Sequence, residues 1–160
     1  MILQSPLPHG PQIIPAILVG LNRIAAKYGS NPMVRAASIY QLKGLGDDDV
    51  LGQAMRLHAF VRDEVTYVGD PLEGEFVTSP VQLLAGIANG QQVFGDCDDH
   101  AVLLAAMLQS LGIEAQVVAV KLGTDYDHAV TIAYVKGEWI VLDPCAKDGS
   151  MPTYDDIMLP

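Results

Sequence analysis

The chain has 160 residues, half of them hydrophobic, and a mean hydropathy of +0.27. That is enough apolar material for one folded core and excludes an intrinsically disordered chain. The formal charge of −10 excludes nucleic-acid binding and attachment to anionic membranes, which need clustered Lys and Arg.

No apolar run reaches the ~20 residues of a membrane helix; the longest candidate, Ile13 to Leu21, contains Pro15. The first residues, Met1-Ile2-Leu3-Gln4-Ser5-Pro6, lack the basic start of a secretory signal, so export by its own signal is not expected. Two cysteines, Cys97 and Cys145, make no disulfide framework. A single bridge between them stays open, but a reducing compartment is the better expectation.

Residues 1–12 carry Pro6, Pro8 and Pro11 and read as an extended arm. Pro15 suits the first turn of a helix running to Tyr28, with Gly29 as its stop. A second helix follows Asn31-Pro32 and ends near Gly44-Leu45-Gly46. Asp47 to Asp49 can start a third, through Leu51, Ala54, Leu57, His58 and Val61. Val65 to Val68 is short and extended, and Asp70-Pro71 opens a loop through Glu73, Glu75 and Phe76. Ser79-Pro80 caps a short helix over 81–88, and a helix from Cys97 runs to Leu111, with Gly112 as stop. After Gly112 the pattern turns to strands over 115–122, 128–135 and 138–142, the last two joined by a tight Lys136-Gly137 turn. Helices first and strands last predict an α+β fold with a C-terminal antiparallel sheet.

The run Gly95-Asp96-Cys97-Asp98-Asp99-His100 places a cysteine between a glycine turn and an apolar helix. Unpaired N–H groups and the helix dipole at such a position favour the thiolate, which is the nucleophile. His128 opens one strand and Asp143 closes another, so the order is nucleophile, base, orienter. Each residue alone has a plain structural reading: a buried cysteine, a strand histidine, a strand-end aspartate before Pro144.

As a combination, Gly95-Asp96-Cys97, Leu111-Gly112-Ile113, His128-Ala129, Trp139 and Asp143-Pro144 resemble the transglutaminase-like superfamily of cysteine hydrolases, within the papain-like fold group. Asp70-Pro71, Glu75, Thr78-Ser79-Pro80 and Gly95 to Asp99 resemble small transglutaminase-like proteins of tailed bacteriophages. The resemblance implies a single domain over 1–160. Its parts are the arm (1–12), a helical N-terminal extension (13–46), a catalytic core (47–145) and a C-terminal tail (146–160). It implies a thiol hydrolase of peptide or amide bonds, or a transamidase or deamidase, acting through Cys97, His128 and Asp143. The location implied is the host cytoplasm or a virion.

Gln91 and Gln92 are candidate oxyanion donors; Phe94, Tyr126 and Trp139 are candidate cleft residues. No cofactor is expected. A calcium site at Asp96 and Asp98 is the alternative, since some relatives bind calcium through acids flanking the cysteine. Acidic neighbours also oppose thiolate formation. His100, three residues after Cys97, is a competing base. Expected partners are a protein or peptide substrate and, through the arm and tail, other virion proteins. The competing expectation is a virion structural or interaction protein that keeps the fold without using the triad.

Overall fold

The computed structural model describes residues 13–69, 76–150 and 152–160. In chain order the elements are α1 (Ile14–Gly29), α2 (Pro32–Gln41), α3 (Val50–Glu64), β1 (Val65–Tyr67), α4 (Pro80–Ala88), β2 (Val93–Gly95), α5 (Cys97–Ser110), β3 (Ala115–Val120), β4 (His128–Val135), β5 (Glu138–Leu142) and β6 (Ile157–Met158). Short polar side chains start most of the helices, because the first turn leaves backbone N–H groups unpaired. Asn31 accepts from Met33 and Val34, and Asp49 accepts from Gly52. Ser79 with Gln82, and Asp96 with Asp99, form reciprocal capping boxes on α4 and α5.

Helix α5 is the centre of the molecule. From Ala101 to Leu108 every residue is fully buried, so the helix is apolar all round rather than on one stripe. It packs against α1 to α4 on one side and against β3 and β4 on the other. The sheet order is β5-β4-β3-β6, all neighbours antiparallel. Its inner face is built of small residues, Ala115, Ala119, Ala129 and Ala133 with Val117, and these let the helix approach closely. The Thr131 hydroxyl, buried mid-strand, donates to the Ala101 carbonyl at 2.9 Å and is thereby satisfied. The outer face carries a second, smaller cluster of Val118, Val120, Val130 and Ile132.

The mixed α/β architecture with a C-terminal antiparallel sheet agrees with the sequence reading, with two differences. First, the strands are not all last. β1 and β2 form a separate parallel pair, Val65 opposite Val93 and Tyr67 opposite Gly95, embedded among the helices. A parallel pair needs a long crossover, and the segment containing α4 supplies it. Second, the tail folds back: Ile157 lies opposite Val120 and Met158 opposite Ala119, adding β6 to the sheet edge. The arm over 1–12, and the Asp70-Pro71, Glu73 and Glu75 positions, lie outside the described residues. No helix among the described residues is long and apolar enough to cross a membrane.

Candidate active site

The first helical residue of α5 is Cys97. The turn before it is tightly tied. Asp96 Oδ1 accepts the Asp98 and Asp99 N–H groups at 3.0 and 3.2 Å, and Asp99 Oδ2 accepts the Asp96 N–H at 3.0 Å. Gly95 is required here, because a Cβ would fall 2.6 Å from the Asp99 Cβ.

Strand β4 begins at His128, and Asp143 follows β5 directly. The β4–β5 ladder ends with Thr131 opposite Leu142. Beyond that pair β5 departs, and the Ala129 N–H turns to the Cys97 sulfur, where it favours the thiolate. The His128 Nε2 donates to Asp143 Oδ2 at 2.9 Å, with both side chains buried. With Nε2 carrying the proton in that bond, Nδ1 is the basic nitrogen.

Asp143 has more partners than His128. Its Oδ1 accepts the Cys145 N–H at 2.9 Å, and its Oδ2 also accepts the Tyr154 hydroxyl at 2.8 Å. Burial pushes this carboxyl up, but the hydrogen bonds from His128, Tyr154 and Cys145 outweigh it and hold Asp143 below the ordinary carboxylate value.

The thiol has the opposite balance. Burial is the largest influence on Cys97 and pushes it well above the ordinary cysteine value; the Asp98 and Asp96 charges push the same way. Its sulfur lies 3.8 Å from Asp98 Oδ1. The expected thiolate-favouring surroundings are therefore outweighed at rest by desolvation and acidic neighbours. Cys145 is raised as well, by burial first and Asp143 second. Both cysteines are free thiols.

The remaining candidates are dispersed. His100 is buried, with Nδ1 2.6 Å from the Asp96 carbonyl and Nε2 3.0 Å from the Val65 carbonyl. Its ring ties α5 to β1, each nitrogen facing a backbone carbonyl. Gln92 is exposed and donates to the Thr66 hydroxyl at 3.3 Å; Gln91 is exposed beside Gly86. Phe94 is exposed mid-β2. Tyr126 is half-buried under the Lys121 ammonium, 4.7 Å from its ring centroid. Trp139 packs with its ring tilted 57° to that of Tyr134, centroids 5.4 Å apart, and lines a cavity of about 360 Å³ with Gln116, Ile132, Val141, Ile157 and Leu159. Ligand atoms of His128, Asp143 and Cys145 lie within 4.8 Å of one another, but both carboxylate oxygens are already engaged by hydrogen bonds.

Two neighbours of the pair carry no signal in the sequence. Tyr154 sits in a polar, Pro-containing tail. His58 reads as a core histidine, and it is fully buried in α3. Its ring hydrogen-bonds the Asp143 backbone carbonyl, and its Nε2 has no partner among the described residues.

The sequence pattern of the Transglutaminase-like superfamily matches residues 40–144. The chain belongs to that superfamily. The matched span includes Cys97, His128 and Asp143 and ends one residue past the aspartate. A candidate protease from Parabacteroides distasonis ATCC 8503 superposes with a TM-score of 0.60 at 18% identity, over 80% of this chain and 26% of that one. A candidate cysteine protease from Cytophaga hutchinsonii superposes with a TM-score of 0.54, also at 18% identity, over 81% of this chain and 42% of that one. The chain thus spans less than half the length of either protein, and at this identity the likeness is one of fold. No curated protein matches the chain in sequence.

Proposed function

We propose that the protein is a thiol-dependent hydrolase of amide bonds, with Cys97 as nucleophile, His128 as general base and acid, and Asp143 as the residue that orients the imidazole. The observation that carries this reading is the buried His128–Asp143 hydrogen bond of 2.9 Å, at the end of the sheet where the Ala129 N–H meets the Cys97 sulfur. Superfamily membership supports the same chemistry.

In the reaction His128 Nδ1 takes the Cys97 proton as sulfur attacks the carbonyl carbon. The tetrahedral intermediate collapses, the C–N bond breaks, and His128 protonates the departing amine. Water then adds to the thioester, giving its proton to His128, and the thiol is restored as the acid leaves. An amine in place of water gives transamidation. The backbone N–H of Cys97, at a helix start, is the proposed oxyanion donor. Because Cys97 is raised by burial and acidic neighbours, the resting nucleophile is a neutral thiol whose proton moves during attack. The phage setting suggested by the Gly95 to Asp99 run belongs to this proposal and rests on sequence resemblance.

The test is turnover of the chromogenic activated ester p-nitrophenyl acetate, in a Cys145→Ser background. Cys97-dependent acylation that falls by orders of magnitude in His128→Ala supports the hydrolase. Acylation that persists without Cys97, or is indifferent to His128, overturns it and favours a protein that keeps the fold for assembly.

A further inference from the structure

Asp143 is held from two sides. The His128 Nε2 reaches Oδ2 from β4 at 2.9 Å, and the Tyr154 hydroxyl reaches the same oxygen from the tail at 2.8 Å. The Tyr154 ring packs against the outer-face cluster of Val118, Val120, Val130 and Ile132. Three residues further on, β6 fastens the chain to β3 through Ile157 and Met158. The phenol is thus anchored by its ring and by the strand that follows it. The Cys145 N–H holds Oδ1 from the adjoining turn at 2.9 Å, and the Tyr154 hydroxyl adds a donor on Oδ2, the oxygen that His128 uses.

We propose that Tyr154 is a positioning residue of the active site: its hydroxyl fixes the Asp143 carboxylate against His128, so the segment beyond the superfamily match completes the catalytic apparatus. The inference rests on the hydrolase reading. It has a chemical consequence besides orientation. A phenol donor draws charge from the carboxylate, so Asp143 stabilises the imidazolium less strongly than an otherwise identical carboxylate without that donor. The groups facing Asp143 are His128 from β4, Cys145 from the following turn, Tyr154 from the tail and the His58 ring from α3. Cys97 approaches the end of the sheet from α5, and Arg62 acts on His58. Among the described residues, the side chains that donate to the carboxylate are those of His128 and Tyr154.

The experiment compares the full chain with Tyr154→Phe, which keeps the packed ring and removes the donor. With p-nitrophenyl acetate, kcat should fall about tenfold, the scale of one charge-assisted hydrogen bond, while KM stays within about twofold. The acid limb of the pH–rate profile should move to higher pH, because the freed carboxylate holds the His128 proton more tightly. Proton NMR of the His128 Nε2–H reads the same pair without turnover: in Tyr154→Phe its downfield resonance should shift and exchange faster with water. Site-specific 3-fluorotyrosine at position 154 strengthens the donor and should move the acid limb the other way, even if Tyr154→Phe folds poorly. A wild-type resonance and an unmoved acid limb in these variants would overturn the inference. Loss of Cys97-dependent turnover in the parent would overturn the hydrolase reading instead, which keeps the two failures distinct.

Discussion

The Asp99 carboxylate bridges two backbone N–H groups, that of Thr78 at 2.6 Å and that of Asp96 at 3.0 Å. Asp99 is buried, so this acid next to the cysteine is a structural tie between the segment entering α4 and the first turn of α5. Replacing it with alanine leaves two N–H groups without their acceptor. The expected cost is about 2 kcal/mol, read as a lower urea midpoint with an unchanged slope. A midpoint equal to the parent would show that the tie contributes nothing.

Asp98 is expected to act on reactivity rather than on stability. Its carboxylate lies 3.8 Å from the Cys97 sulfur and, after burial, is the next largest influence raising the thiol. In a Cys145→Ser background, Asp98→Asn should speed alkylation of Cys97 by iodoacetamide at pH 8 severalfold, because the thiolate is the reacting form. The parent should alkylate slowly at neutral pH. Fast alkylation of the parent at pH 6 would contradict a neutral resting thiol.

Asp143→Asn keeps the shape of the site but offers His128 an amide in place of a carboxylate. Orientation and imidazolium stabilisation are both lost, so kcat should fall by roughly 10²–10⁴-fold. The same residue governs acid stability. Its folded value lies below the ordinary carboxylate value, so its contribution is complete above about pH 4 and disappears as pH falls through the lowered value. Thermal melts between pH 5 and 2 should therefore show a shallower acid loss in Asp143→Asn than in the parent.

His58 sets a second pH dependence, in a higher window. Burial lowers it below the ordinary histidine value, with Arg62 adding to the effect and the Asp143 carbonyl opposing it. A histidine kept neutral by burial gives its full stability above about pH 6.5, and loses it as pH falls through the lowered value. Melting temperature should drop on going from pH 7.5 to 5.5, and His58→Met should flatten that drop. An equal slope in both proteins would place the loss elsewhere.

The helices and the three longer strands are legible in the sequence because each carries its own start and stop. Ser79-Pro80 announces α4, Asp49 starts α3, and the Lys136-Gly137 turn adopts the positive φ values of 52° and 90° that a tight hairpin needs. His128 and Asp143 stand out because they sit at the edges of apolar runs. β2 and β6 do not, since two or three residues carry no period; β1 is legible as the short extended run from Val65 to Val68. Tyr154 is invisible for a related reason. Its partner is 11 residues away across a segment with two prolines, Pro144 and Pro152, and no apolar period, and only the folded sheet brings them together. The lowered reactivity expected for Cys97 is equally hidden: the sequence shows the helix start and the acids, while burial, the largest influence, belongs to the tertiary structure.

The Lys136-Gly137 turn lies at the far end of the same two strands that begin with His128 and finish beside Asp143. Seven residues of strand at about 3.4 Å each put that turn roughly 24 Å from the proposed catalytic residues. A fluorophore or short affinity peptide grafted between those two strands would therefore report on, or immobilise, the molecule at a distance from the His128–Asp143 pair. The same graft at the C-terminus would pull on β6 and, through it, on Tyr154.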